Sequence, residues 1–135
     1  MNYKINAISD FNNDGKMHIK ESNIVFGTTS KTSESLPNPA ELFLGSFASC
    51  MLKNVERFSL LMKFKYNHTT LEVKAERLDN PPRMDNILYN LNIYSNDTKL
   101  NIDLLQKNIE KHGTIYNTVK QICTINGTIT RIIND

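Results

Sequence analysis

The sequence predicts an α+β protein in which antiparallel sheet packs on one long central helix. Three observations carry that reading. Apolar residues alternate in short runs at both ends of the chain, and a single capped stretch of helical period sits near the middle. The elements follow in the order ββ(β)-α-ββ-α-α-β, so strands and helices are segregated rather than strictly alternating. At 135 residues the chain is read as one domain, residues 1–135, large enough to bury a core without disulfides or metals.

The elements can be justified in order. Tyr3-Ile5-Ala7 alternates as a strand, Asn12-Asn13-Asp14-Gly15 is turn chemistry, and Met17-Ile19 and Ile24-Val25-Phe26 continue the pattern as a meander. Thr28 to Pro37 is a Ser/Thr-rich loop. Asn38 then offers a helix N-cap, Pro39 sits at the first helical position, and Glu41 completes a reciprocal capping box. The helix is expected to run from Pro39 to about Phe64, or about 26 residues and on the order of 39 Å. Leu71-Val73-Ala75 and Ile87-Tyr89-Leu91-Ile93 read as two strands joined by Asp79-Asn80-Pro81-Pro82. Asn101 caps a second helix, and Gly113 is placed to end it as a C-terminal glycine. A short helix over Ile115 to Ile122 leads into a last strand near Thr124 to Ile133.

Charge narrows the function classes. The 16 basic and 14 acidic residues are interspersed, which leaves no footprint for nucleic acid. No window approaches the roughly 18 apolar residues of a membrane span, and the N-terminus lacks a basic stretch followed by an apolar core, so a cytoplasmic protein without membrane or nucleic-acid partners is expected. In that compartment Cys50 and Cys123 are read as thiols rather than a bridge. Asp10, Asn12, Asp14, Gly15 and Glu21 match the spacing of a calcium-binding helix-loop-helix motif. The flanking segments, however, are β-patterned, and the same residues make an ordinary hairpin turn. His18, His68 and His112 lack metal-ligand spacing, so neither a metal nor a cofactor is expected.

On the long helix, Leu44, Ala48, Met51, Val55, Phe58 and Met62 form one stripe, expected to face the sheet. Phe43, Phe47, Cys50, Asn54, Arg57 and Leu61 form a second stripe, which puts Cys50 at the edge of the core. Gly45 and Ser49, with Leu42, Leu52 and Leu60 beside them, make a third apolar side that calls for a further layer or a second subunit. Lys53 at i+3 and Arg57 at i+7 bring positive charge towards Cys50, and Asn54 at i+4 can donate a hydrogen bond to it. Such surroundings suit a reactive thiolate, while a buried structural cysteine fits the same pattern.

The stretch Asn38-Pro39-Ala40-Glu41-Leu42, followed after eight residues by Cys50, resembles the central-helix motif of the OsmC/Ohr family. Leu71 to Arg77 with Ile87 to Ile93 looks like the family's post-helix hairpin, and Leu104 to Val119 like its paired C-terminal helices. The similarity spans roughly residues 36–130. It implies an intertwined homodimer with active sites at the subunit interface, and thiol-dependent reduction of organic hydroperoxides. Cys50 would attack the peroxide and pass through a sulfenic acid. Glu41, which matches the family motif as well as the capping box, and Lys53 and Arg57, taken from their spacing on the helix, complete the candidate catalytic set with Cys50.

The family's resolving cysteine falls where this chain has Gly113, within Glu110-Lys111-His112-Gly113-Thr114-Ile115-Tyr116-Asn117-Thr118. The family's N-terminal arginine has no counterpart before Arg57, and Ala40 replaces a glutamate. Cys123 reads as a structural thiol. His112 is either a base near Cys50 or a partner of the helix C-terminal dipole. Two functions therefore stand. One is a thiol-dependent redox protein that reduces a small hydroperoxide through Cys50 with an external thiol reductant. The other is a non-catalytic dimeric binding protein that holds a small apolar ligand against Phe43, Phe47 and Tyr116.

Overall fold

The computed structural model describes residues 1–134, which fall into two compact units, residues 1–43 and residues 44 onward. In the first, β1 (Asn6–Ser9), β2 (Gly15–Ile19) and β3 (Ser22–Phe26) form an antiparallel meander in the order β1-β2-β3. Asn6 pairs with His18 and Ser9 with Gly15, while Gly15 pairs with Phe26 and Ile19 with Ser22. Left-handed backbone at Asn12 and Lys20 makes the two turns. The calcium-like spacing is thus flanked by strands. The Asp14 carboxylate is taken up by the Thr32 hydroxyl at 2.7 Å, the Thr28 amide at 3.1 Å and the Thr29 hydroxyl at 3.4 Å. Those bonds, Thr32's foremost, hold the Asp14 carboxyl below its ordinary range.

A single 3-10 turn, Ser30–Thr32, interrupts the Ser/Thr-rich loop before α1 (Pro39–Leu61) begins. The predicted capping box is formed: the Glu41 amide donates to Asn38 Oδ1 at 2.8 Å, and the Asn38 amide donates to Glu41 Oε1 at 3.1 Å. The helix stops at Leu61, three residues short of the expected end, and Lys63 then adopts left-handed backbone.

In the second unit, β4 (His68–Leu78), β5 (Arg83–Tyr94) and β6 (Ile125–Ile132) form a sheet with β5 in the centre. It departs from the expected antiparallel arrangement. β4 and β5 are an antiparallel hairpin, with Leu71 opposite Leu91, but β6 runs parallel to β5, with Ile129 opposite Leu91. The physical reason lies in the connection. A chain that leaves β5 and returns through two helices, α2 (Ile102–His112) and α3 (Thr114–Lys120), is long enough to cross over and re-enter in the same direction.

Period-two alternation along β5 puts Ile87, Tyr89, Leu91 and Ile93 in the core. Against them lie Phe47, Met51, Val55 and Phe58 of α1, Leu105 and Ile109 of α2, Tyr116 and Val119 of α3, and Ile129 of β6. Asn101 caps α2 by accepting from the Leu104 amide at 3.1 Å. Gln106 donates to the Tyr89 hydroxyl at 2.9 Å and to the Gly127 carbonyl at 3.2 Å, which ties α2 to both β5 and β6. Gly127 is required by contact, since a Cβ there would overlap the Tyr89 ring.

Candidate functional site

The site is built around Cys50, half-buried on α1. The helix turns its core side slightly differently from the expected stripe. Phe47 and Asn54, assigned to the second stripe, are fully enclosed, whereas Leu44, Ala48 and Met62 are only half-buried. The physical cause is aromatic packing. The Phe47 ring lies 5.7 Å from that of Tyr116 and 6.2 Å from that of Tyr89, and filling that space rotates the row containing residues 47, 51, 54, 55 and 58 inward.

Gly113 stands directly against Cys50. A Cβ built on it would lie 3.3 Å from Cys50 Sγ, and 2.9 Å from both the Ile109 carbonyl oxygen and Tyr116 Cβ. Gly113 ends α2 as expected, and does so with ordinary backbone, φ −70° and ψ 118°, so left-handed conformation is not what the glycine supplies. It supplies closeness. Its amide donates to the Ile109 carbonyl at 2.9 Å, and its carbonyl accepts from the Asn117 amide at 2.8 Å, so one residue ends α2 and starts α3. Sequence spacing offers no signal for this contact, because 63 positions separate two residues that the crossover brings together. Only the family motif pointed to it.

Asn54 is 7% exposed and reaches back one turn, donating from Nδ2 to the Cys50 carbonyl at 2.8 Å, with Cys50 Sγ 3.6 Å from the same nitrogen. Arg57 lays its guanidinium over the Phe58 ring, 5.3 Å from the centroid, and His112 packs on that ring from α2 at 5.7 Å. Lys53 is exposed. Glu41 belongs to the first unit, where it serves the capping box.

Tyr116 closes the aromatic side. Burial, the Glu110 carboxylate and Tyr89 together push its phenol well above the ordinary range. Burial likewise raises the Tyr89 phenol. Glu110 was not singled out from sequence, although its place three residues before Gly113 is a usable signal.

Cys123 is buried and free. Its thiol donates to the Met84 carbonyl at 3.2 Å, and burial, followed by the Asp85 charge, pushes it up. His18 shares a 2.9 Å hydrogen bond with Asn23 in the first unit, and His68 packs on Tyr94. Among the described residues no group of His, Cys, Asp or Glu is arranged to hold a metal ion, and no helix is long and apolar enough to cross a membrane.

Comparison with known proteins places these features in a family. The chain is similar in fold to an OsmC-like protein from Mycoplasma pneumoniae, with 17% identity, 98% of each chain covered and a TM-score of 0.86. An organic hydroperoxide resistance protein from Elizabethkingia anophelis aligns at 14% identity over 98% of this chain and 99% of that one, with a TM-score of 0.72. The organic hydroperoxide resistance protein OhrB of Bacillus subtilis aligns at 10% identity over 96% and 98%, with a TM-score of 0.60. No curated protein matches the chain in sequence. A sequence model of the family described as OsmC-like protein matches residues 32–127, a span that takes in Glu41, Cys50 and Gly113, and the chain therefore belongs to the OsmC-like family.

Proposed function

We propose that this chain is a thiol-dependent redox protein that reduces organic hydroperoxides through Cys50 and is returned to its thiol form by an external low-molecular-weight thiol. The observation that carries the reading is the placement of Gly113, whose missing side chain would meet Cys50 Sγ. A family site with a second sulfur there could close a disulfide internally. Here position 113 supplies no second sulfur, and the Cys123 thiol donates to the Met84 carbonyl. Two structures of the same fold are named organic hydroperoxide resistance proteins, which supports the substrate class.

The chemistry balances with the external thiol as reductant. The Cys50 thiolate attacks the terminal peroxide oxygen, an S–O bond forms as the O–O bond breaks, and the leaving alkoxide takes a proton from solvent to depart as alcohol. The sulfur, oxidised by two electrons to sulfenic acid, condenses with one thiol and releases water. A second thiol then displaces Cys50 from the mixed disulfide and leaves with the first as a disulfide. Lys53 and Arg57 are the cations that follow Cys50 on α1, the first exposed and the second laid over the Phe58 ring. Glu41 sets the start of the helix.

The active form is read as a homodimer. Gly45 opens on empty space, Leu52, Leu60 and Leu61 on the same helix are exposed, and Ile8 and Val25 are exposed on the first sheet. On each unit by itself, such exposed apolar residues fit cover by a second copy. Stopped-flow consumption of cumene hydroperoxide, with mass spectrometry for sulfenate on Cys50, tests the function. Wild type should turn over with added thiol and Cys50→Ser should not; equally slow consumption by both proteins sinks the reading.

A further inference from the structure

We propose that Asn54 is a positioning residue for Cys50, holding the sulfur as an anion with an amide N–H that comes from the buried row of α1. This inference rests on Cys50 being the reacting thiol. It starts from an oddity of the helix. Position 54 lies on the inward side of α1 beside Met51, Val55 and Phe58, all buried, and there an aliphatic residue would pack without a polar group to satisfy. Asparagine instead occupies it at 7% exposure. Its Nδ2 carries two hydrogens. One is used on the Cys50 carbonyl at 2.8 Å, and the same nitrogen stands 3.6 Å from Cys50 Sγ, within reach of a sulfur acceptor.

The first bond explains the aim of the second. A carbonyl in mid-helix already accepts from the backbone four residues on, so the tie to it is not needed to satisfy Cys50. It fixes the amide plane one turn above the half-buried sulfur, to which a charge-assisted bond is stronger than a neutral one.

Asn54→Leu keeps the branching and number of side-chain heavy atoms and removes the donor, and Asn54→Asp keeps the shape and replaces the donor with an acceptor. The charged groups on the elements that meet here, Lys53 and Arg57 of α1 and Glu110, Lys111 and His112 of α2, stay in place in both. Alkylation of Cys50 by iodoacetamide, followed by mass spectrometry in a pH jump, should be about tenfold slower than wild type at pH 7 for Asn54→Leu and slower still for Asn54→Asp. At pH 10.5, where an ordinary thiol ionises unaided, the Leu variant should come within about twofold of wild type. Equal slowing at both pH values, or none at pH 7, overturns the inference.

Should neither variant fold, nitrogen-edited NMR of the wild type keeps the question decidable. The Asn54 side-chain amide signal should move with pH in wild type and stay flat in Cys50→Ser; a flat signal in both refutes the role. If wild type consumes no hydroperoxide while Asn54→Leu alkylates tenfold slower at pH 7, the peroxide reading fails and the Asn54 role survives.

Discussion

Gly113→Cys, made in a Cys123→Ala background so that one pairing is open, should form a disulfide with Cys50. The Cβ position at 113 lies 3.3 Å from Cys50 Sγ, close to the roughly 3.0 Å that separates a Cβ from the far sulfur of a disulfide. Shifts of a few tenths of an ångström close the gap, and the new side chain also has to ease away from the Ile109 carbonyl and Tyr116 Cβ, both at 2.9 Å. That crowding costs on the order of 1–2 kcal/mol in the reduced variant. The bridge would enclose a loop of about 64 residues, for which chain entropy gives about 4 kcal/mol in favour of the oxidised form. Thermal melts of the oxidised and reduced forms of this one variant should therefore differ by roughly 12 °C for a chain of this size. The assay is mild diamide oxidation of the folded variant, a count of thiols open to alkylation, and paired melts with and without reductant. Two thiols still open after oxidation would refute the placement of the α2–α3 junction against Cys50, and with it the reason for looking to an external thiol.

Two further outcomes follow from the frame around the site. Asn38→Ala removes one half of the reciprocal cap on α1 and should lower stability by about 1 kcal/mol in urea unfolding, with the slope unchanged. Asp97, whose carboxylate accepts from the Lys99 amide at 2.9 Å and the Lys65 amide at 2.8 Å, is held below the ordinary carboxylate value of 3.8 by those bonds, Lys99's foremost. A depressed carboxylate stabilises the fold fully above its unfolded value and loses that contribution as pH falls below it. Asp97→Asn should therefore be less stable than wild type at pH 7, and the gap between the two should narrow below pH 3.8.

What was legible in the sequence is what local chemistry decides. The capping box at Asn38 and Glu41, the alternation that buries Ile87, Tyr89, Leu91 and Ile93, and the Asn101 cap were all readable, because each depends on neighbours within a few residues. The direction of β6 was not, since strand alternation is the same whichever way a strand runs and only the length of the crossover decides it. The inward turn of α1 was misjudged for a related reason. A periodic stripe gives the helix an apolar face to within a residue or so, but the Phe47–Tyr116–Tyr89 stack that fixes the rotation is assembled from three elements. Gly113 shows the limit most clearly: its letter marked the end of α2, and its close approach to Cys50 depends on a contact across the crossover.

Two residues around Cys50 depart from what local preference would select. Asn54 places an amide on the buried row of a helix where the neighbours are Met51, Val55 and Phe58. Gly113 sits at an ordinary backbone conformation that most residues adopt without strain, so its missing side chain is explained only by what stands beside it. Departures of this kind weaken a core unless something is gained, and both adjoin the same sulfur. Cys123 provides the contrast within one chain: a buried thiol bonded to a carbonyl. The clash that a side chain at position 113 would make with the Ile109 carbonyl and Tyr116 already accounts for glycine there, so what a space-filling Cys50 leaves unexplained is Asn54, a buried amide that ties back to Cys50 from the next turn.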